Sequence, residues 1–291
     1  MRIYTKKHCW VLLLLIIVLS LGCTQPNSVG GSVFLHLSAD SSTVFSGNSV
    51  GINVDMENKN PRSVNSVVVN VFDAGLMNIV GGQCVKSFPL VLPNEFKSFS
   101  CLLNAPGKEK LLNDKTSTEV NAKVEYTTDL SFVQLVEMVS EEEYKRKSDT
   151  GDLVLKPSHY SYNDDNVNID LDFSSEMPIM IKDASQPQYA YQDYYVYFTV
   201  KNIGNGFMDD IQKSDFSAKP VATLGVQSAE IVNCEKAKES WPLKVQGKTF
   251  PKFACKLSLP AGTKSIENYG MQVTLKYRYE VREKTNIVII R

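Results

Sequence analysis

The sequence has little histidine and no excess of either charge. Histidine occurs three times in 291 residues, at His8, His36 and His159, which leaves little for a histidine-ligated metal site or a histidine-based catalytic relay. Lys and Arg number 31 and Asp and Glu number 32, so the formal net charge is -1. Because the chain has no excess of basic residues, nucleic-acid binding is not predicted. The chain has neither a glycine-rich phosphate loop nor a His-Glu-x-x-His motif. These absences suggest no cofactor and disfavour several enzyme classes.

The apolar run near the N-terminus is too short for a typical membrane-spanning helix. It covers residues 10–19, whereas a helix needs about 20 apolar residues to cross the hydrocarbon of a bilayer. Arg2, Lys6 and Lys7 precede the run, and small residues follow it. This arrangement is typical of a signal peptide, which we place at residues 1–22.

A cysteine follows this segment directly. Residues 19–23 read Leu-Ser-Leu-Gly-Cys, which resembles a prokaryotic lipobox. The resemblance implies cleavage before Cys23, a lipid on its thiol, and a place at the outer face of the cell membrane. An uncleaved anchor and a secreted protein with an incidental cysteine are the alternatives, and both also put the chain outside the cytoplasm. Residues 23–32 are small and polar, with Gly and Pro, as expected of a flexible tether.

The remaining cysteines form two local pairs. Apart from Cys9 and the lipidation candidate, the chain has Cys84, Cys101, Cys234 and Cys255. An even number in an exported protein favours disulfides, and the neighbours Cys84 with Cys101 and Cys234 with Cys255 are the natural partners. Each bridge would close a loop of roughly 20 residues. A zinc site is the alternative, but Cys-x-x-Cys spacing and nearby histidines are lacking.

The two cysteine pairs belong to an internal repeat. Four stretches of the first half resemble four of the second half in the same order. The matched segments are 33–37 with 167–171, 50–58 with 194–202, 99–106 with 253–260, and 120–126 with 271–277. The repeat predicts two copies of one domain.

The matched segments alternate apolar and polar residues. Period two is typical of half-buried antiparallel strands, and many short strands without a helical pattern predict an all-β protein built from β-sandwiches. We therefore expect one sandwich at 33–147 and a second at 153–291. Ser140 followed by Glu143 has capping-box spacing, which predicts a short helix closing the first domain, with 148–152 as the linker.

Two motifs resemble known surface domains. Residues 46–58 look like the glycine, alternating strand and asparagine that open immunoglobulin-like domains of archaeal and bacterial surfaces. Residues 200–206 resemble the Val-x-Asn-x-Gly turn of the cell-adhesion-related domain family, although the first copy has Asn58-Lys59-Asn60-Pro61 in its place. The resemblance implies two tandem immunoglobulin-like sandwiches and an adhesion or scaffolding role.

Ser49 lies in a Gly-x-Ser-x-Gly pattern that hydrolases use to present a nucleophile. That chemistry needs a strand-to-helix turn at the serine and a later histidine, and His159 is the only one that follows. The residues after Ser49 alternate as a strand does. A turn leading into a strand is therefore the favoured interpretation, with an exported hydrolase as the least favoured alternative.

Carboxylates and amides cluster between residues 163 and 172. Asp164, Asp165 and Asp170 are weak calcium candidates, because hard cations prefer oxygen ligands. The cluster does not fit the EF-hand template, since Ile169 stands where that loop has glycine. A polar loop that leads into a half-exposed strand is the favoured alternative.

The segment from Tyr194 to Val200 is rich in aromatic residues. Alternation puts Tyr194 and Phe198 on the core face and Tyr195 and Tyr197 on the outer face. Ordinary cross-strand packing is the favoured interpretation of these two tyrosines, and a contact surface for partner side chains or a sugar is the alternative.

Together these features predict a membrane-tethered surface protein that is not an enzyme and acts as an adhesion, scaffold or binding module. The expected partners are the membrane, through the lipid anchor, and other envelope proteins or surface glycans. A solute-binding lipoprotein is the second hypothesis, although that class is usually built from two α/β lobes.

Overall fold

The computed structural model describes the greater part of the chain. The described residues are 33–181, 194–221, 232–235, 237–257 and 266–291. These residues form an all-β structure in which strands far outnumber the single α-helix. The predicted signal peptide at 1–22, the tether at 23–32 and the lipidation candidate Cys23 lie outside the described residues.

The strands of the first half are numbered in chain order. They are β1 Val33–Ala39, β2 Thr43–Phe45, β3 Ser49–Asn58, β4 Val64–Asp73, β5 Asn78–Ile79, β6 Val85–Val91, β7 Phe96–Asn104 and β8 Lys115–Ser140. Helix α1, Glu141–Thr150, follows β8.

The second half contributes shorter strands and one long one. They are β9 His159–Asn163, β10 Val167–Phe173, β11 Ile179–Ile181, β12 Tyr194–Asn202, β13 Phe207–Met208, β14 Phe216–Val221, β15 Val232–Asn233, β16 Phe253–Leu257 and β17 Glu267–Ile290.

Helix α1 confirms the predicted capping signal and ends later than expected. The Ser140 hydroxyl accepts a hydrogen bond from the Glu143 amide at 3.3 Å, and Gly151 ends the helix with φ of 75°. A positive φ suits glycine because the left-handed region has no steric cost without a Cβ. The helix therefore occupies the first residues of the predicted linker 148–152.

Within the described residues the strands form three sheets. One has the order β1-β3-β7-β5, and a second has the order β15-β16-β12-β10-β9. The third follows β13-β17-β8-β4-β6, with β14 and β2 also paired to β17 and β11 paired to β8. Pairing is antiparallel except between β11 and β8 and between β17 and β2.

The sequence repeat corresponds to equal places in two sheets. Strands β1, β3 and β7 are adjacent in the first sheet, as β10, β12 and β16 are in the second. Val33 pairs with Asn58, and Val167 pairs with Asn202. The strand cysteines match as well, since Cys101 pairs with Ile52 and Cys255 with Val196. Matched segments thus have the same neighbours and the same register.

The last strands of the two halves pair with each other. All of β17 runs antiparallel to β8, from Glu267 opposite Met138 to Ile290 opposite Lys115. The two halves therefore share one sheet, and the described residues of both halves belong to one compact unit. The proposed boundaries around 148–152 fall inside this unit, and separate folding of 33–147 and 153–291 stays a prediction.

The core is formed by the inward residues of alternating strands. In β3 every second residue from Val50 to Met56 is buried, and one hydrophobic cluster contains inward residues of both halves. At its centre, Tyr126 of β8 and Tyr279 of β17 are fully buried, with ring centroids 5.9 Å apart. Because burial of apolar surface is the main stabilising term in folding, this shared core links the halves energetically.

Both predicted cysteine pairs are disulfides in the structure. Cys84 and Cys101 have Cα atoms 5.9 Å apart and join the start of β6 to β7. Cys234 and Cys255 have Cα atoms 4.3 Å apart and join the end of β15 to its neighbour β16. The first bridge links two sheets, whereas the second links adjacent strands of one sheet.

Candidate contact surface

The strand with the most aromatic residues places its tyrosines as alternation predicts. Tyr194, Val196 and Phe198 of β12 are buried, while Tyr195 and Tyr197 are half-buried on the opposite face. The rings of Tyr195 and Tyr197 have centroids 6.4 Å apart. We call this outer face of the β15-β16-β12-β10-β9 sheet the tyrosine face.

An aspartate with two basic partners lies beside Tyr197. Asp172 of β10 is paired with Tyr197 of β12 on one side and with His159 of β9 on the other. Its carboxylate lies 2.6 Å from His159 Nδ1 and 2.6 Å from Lys252 Nζ. The ammonium of Lys252 is also 5.0 Å from the Tyr197 ring centroid, within range of a cation–π contact. Hydrogen bonds from Lys252 and then His159 lower the pKa of Asp172.

A second aspartate on the same face is covered by polar neighbours. Asp170 accepts hydrogen bonds from Ser161 Oγ at 2.9 Å and Asn168 Nδ2 at 2.7 Å, and its other oxygen lies 2.7 Å from Lys201 Nζ. These contacts leave Asp170 only 8% exposed. Alternation along β10 puts the Asp170 side chain on the outer face, and neighbouring side chains cover it there. Burial raises the pKa of Asp170, but the hydrogen bonds from Lys201, Asn168 and Ser161 lower it by more, so the pKa is below its ordinary value.

One of the three calcium candidates, Asp164, stabilises the loop before β10 through hydrogen bonds. Asp164 Oδ1 accepts the amides of Asn166 at 2.9 Å and Val167 at 2.7 Å, and Oδ2 accepts the hydroxyl of Tyr277 at 2.7 Å. Asp165 is exposed, and Asp170 is engaged as described above. Across the residues that the structure describes, no group of three or more His, Cys, Asp or Glu could hold a metal ion.

The loop before β10 is tied to the shared sheet by a buried polar cluster that the sequence did not suggest. Asn166 is fully buried and donates to the hydroxyl of Tyr126 at 3.0 Å. The hydroxyl of Tyr279 donates to Asn202 Oδ1 at 3.0 Å and accepts the Gly206 amide at 2.9 Å. Burial, with the nearby Asp164 carboxylate, raises the pKa of Tyr277 strongly. These bonds fix the loops at one end of the tyrosine face.

Gly204 belongs to the same cluster and needs its lack of a side chain. A Cβ at this position would lie 2.2 Å from the Tyr279 hydroxyl and 3.2 Å from the Asn166 Cα. The Gly of the Val-x-Asn-x-Gly motif is thus explained by the close approach of two loops to the shared sheet.

Ser49, the hydrolase candidate, opens strand β3. It donates a hydrogen bond to Asn104 Oδ1 at 2.5 Å across the strand pair. A nucleophile elbow would instead need a turn from a strand into a helix.

Comparisons with known proteins add no relative. No protein-family model matches the chain, and no curated protein is significantly similar to it. Among the described residues, no helix has the length and apolar character needed to cross a membrane. The site must therefore be interpreted from its own geometry.

The tyrosine face offers aromatic rings beside charges that are already paired. Alternation along one strand identified Tyr195 and Tyr197. It did not link His159 and Lys252 to these tyrosines, because their proximity depends on the register between different strands. Rings held on a rigid sheet can pack against a partner at little entropic cost, and their hydroxyls can hydrogen-bond at the rim. The arrangement is suited to binding.

Proposed function

We propose that the protein is an exported, membrane-tethered binding module that is not an enzyme and consists of two immunoglobulin-like halves. The pair of disulfides carries this proposal. Cys84–Cys101 and Cys234–Cys255 each join a strand cysteine to a cysteine beside another strand, and all four are buried or half-buried; such bridges persist in oxidising compartments outside the cytoplasm. The lipobox-like segment ending at Cys23 supports the lipid anchor.

The binding role is supported by the tyrosine face. Tyr195 and Tyr197 are held on a central strand, and Lys252 and Asp172 fix their surroundings by short polar contacts. Aromatic residues with a polar tip are favoured at protein interfaces. We propose that this face contacts another envelope protein or a surface glycan.

The anchor is tested by Cys23→Ser in a bacterial host that processes lipoproteins, with Cys9→Ser as the matched control. We expect labelled palmitate to enter the parent chain and the control, and the Cys23→Ser chain to lose the label and leave the membrane fraction. A Cys23→Ser chain that keeps residues 1–22 and stays in the membrane would support an uncleaved anchor instead.

The contact surface is tested by Tyr195→Ala and Tyr197→Ala, each compared with Phe34→Ala, which removes a 49% exposed ring from the first sheet. We expect the tyrosine variants to lose retention on isolated cell envelopes and the control to keep it. Equal retention of all three variants would remove the tyrosine face from the proposal.

A further inference from the structure

An arginine on the outer face of the shared sheet lies between two exposed phenyl rings. The guanidinium carbon of Arg282 in β17 is 4.6 Å from the ring centroid of Phe207 and 5.5 Å from that of Phe72. Phe207 is 56% exposed and Phe72 is 43% exposed. Phe207 belongs to β13 and Phe72 to β4. These two strands flank the β17–β8 pair on opposite sides. We call this row the phenyl strip.

The charges along the phenyl strip are paired. Lys123 bridges Glu125 and Glu280, Arg278 contacts Glu125, and Arg282 contacts Glu280 at 2.5 Å. Asp209 lies 3.8 Å from Arg278 Nε, and with it the row has three basic and three acidic side chains, so its fixed donors and acceptors have no local excess of either sign. A charged polymer would gain little from such a surface, because attraction and repulsion largely cancel.

A cleft continues from the phenyl strip. It has a volume of about 620 Å³, and its lining includes three aspartates, Asp209, Asp210 and Asp215, together with Lys276 and Arg278. This volume is within the ~300–1,000 Å³ range of small-ligand sites. Met208, which lines the cleft, follows Phe207 directly in β13, and Asp209 lies 3.8 Å from Arg278 Nε, so the cleft lies next to the phenyl strip.

The walls of the cleft combine apolar and polar groups. Met208 and Ile211 are among the residues that line the cleft, so apolar atoms form part of the wall. Asp209 has a side chain that is 65% exposed, and Arg278 one that is 54% exposed, so both have capacity for further hydrogen bonds. Carboxylate acceptors and guanidinium donors together can satisfy ligands whose groups both donate and accept, which is the property of a hydroxyl.

We infer that the cleft and the phenyl strip bind an uncharged, polyhydroxylated ligand, such as sugar residues of a neutral glycan. The ring of Phe207 packs against the C–H face of one sugar, while Asp209 and Arg278 exchange hydrogen bonds with the hydroxyls of its neighbour. This site is on a different sheet from the tyrosine face, and the inference does not depend on the tyrosine face.

Calorimetry on the full-length chain tests the inference, with mannohexaose, cellohexaose and xylohexaose as neutral probes and oligogalacturonate as the charged one. We expect at least one neutral probe to bind, with an affinity that changes little with salt because no net charge is neutralised. Failure of all three neutral probes, or tighter binding of oligogalacturonate, would overturn the inference.

Matched variants locate the site. We expect Phe207→Ala and Asp209→Asn to weaken neutral-probe binding by about tenfold, the effect of one good contact. Phe96→Ala removes a 59% exposed ring from another sheet, and it should bind like the parent. Circular dichroism checks that each variant is folded. Unchanged binding by folded Phe207→Ala would contradict the assignment, whereas loss in Tyr197→Ala alone would move sugar binding to the tyrosine face.

Discussion

The two halves have the same strand core but use their cysteines differently. Strands β1-β3-β7 and β10-β12-β16 have the same order and register, and Cys101 and Cys255 have matching places in them. Their partners differ, because Cys84 lies at the start of a strand in another sheet and Cys234 at the end of the adjacent strand β15. The central strands therefore define one end of each bridge, and the connecting loops decide what the other end joins.

The asparagines that end β3 and β12, here called the corner asparagines, show a second difference between the two halves. Asn58 and Asn202 end matched strands, and each accepts the backbone amide two residues later. The Asn58 side chain donates to the carbonyls of Arg62, Val91 and Leu92, all in its own half. Asn202 accepts from the hydroxyl of Tyr279 in the shared sheet. The same turn thus bonds to β6, at the end of the strand order of the shared sheet, in the first half and to the long strand β17 in the second.

The largest effect should come from the shared β8–β17 pair. Tyr279→Ala removes a fully buried ring next to Tyr126, and a change of this kind costs about 3–5 kcal/mol. Because both halves contribute to one core, we expect hydrogen exchange to show lost protection in peptides of both. Unchanged protection of residues 33–104, with loss confined to 194–257, would mean that the halves fold separately, as the repeat by itself suggests.

The disulfides should cost about the same to remove despite their different positions. Each closes a loop of similar length, with separations of 17 and 21 residues, and the chain-entropy account gives about 3 kcal/mol for each. Urea unfolding of Cys84→Ala/Cys101→Ala and of Cys234→Ala/Cys255→Ala measures both. A much larger loss for the bridge between sheets would show that native-state geometry outweighs the entropy of the unfolded chain.

Substitution of the two corner asparagines should cost similar stability but should affect hydrogen exchange in different strands. Asn58→Ala and Asn202→Ala each leave buried groups without partners, which costs about 1–3 kcal/mol. We expect only Asn202→Ala to increase hydrogen exchange in β17, since it frees the Tyr279 hydroxyl. Asn48→Ala, at an exposed position, serves as the control and should change stability by less than about 0.5 kcal/mol. Equal exchange in β17 for both corner variants would contradict this difference.

The smallest effect concerns pH and the tyrosine face. The pKa of Asp170 is lower in the folded chain than in the unfolded one, so its contribution is present above the unfolded value of about 4 and is lost as pH falls through the folded pKa. Asp170→Asn should cost roughly 1–2 kcal/mol at pH 7 and reduce the loss of stability below pH ~4. Urea unfolding from pH 7 to pH 2 measures this, and a parent-like slope would count against it.

Some of the structure could be predicted from residue patterns because its causes are local. Alternation assigned Phe198 to the core and Tyr195 and Tyr197 to the outer face, since successive side chains of a strand point to opposite sides. The spacing of Ser140 and Glu143 predicted the start of α1. The cysteine pairs followed from proximity along the chain, because short loops close at the smallest entropic cost.

Other features depend on partners that are distant in sequence. The periodicity of residues 120–126 and 271–277 identified strands, but it did not indicate that β8 and β17 pair with each other over their length. Alternation gives the face on which Asp170 lies, but it did not indicate that Lys201 from the next strand covers the carboxylate there. His159 and Lys252 both contact Asp172 because of two tertiary features. The register of β9 and β10 places His159 opposite Asp172, and the residues just before β16 bring Lys252 to the same carboxylate.

The sequence by itself determined the all-β class, the repeat, the cysteine pairs and the side of the strand on which each tyrosine lies. All of these follow from local spacing and from the two faces of a strand. Only the tertiary structure decided that the last strands of both halves form one sheet, that the two disulfides join different elements, and that Arg282 lies between Phe207 and Phe72. These depend on which strand edges meet, and edge pairing is set by backbone hydrogen bonds that nearly any residue can make.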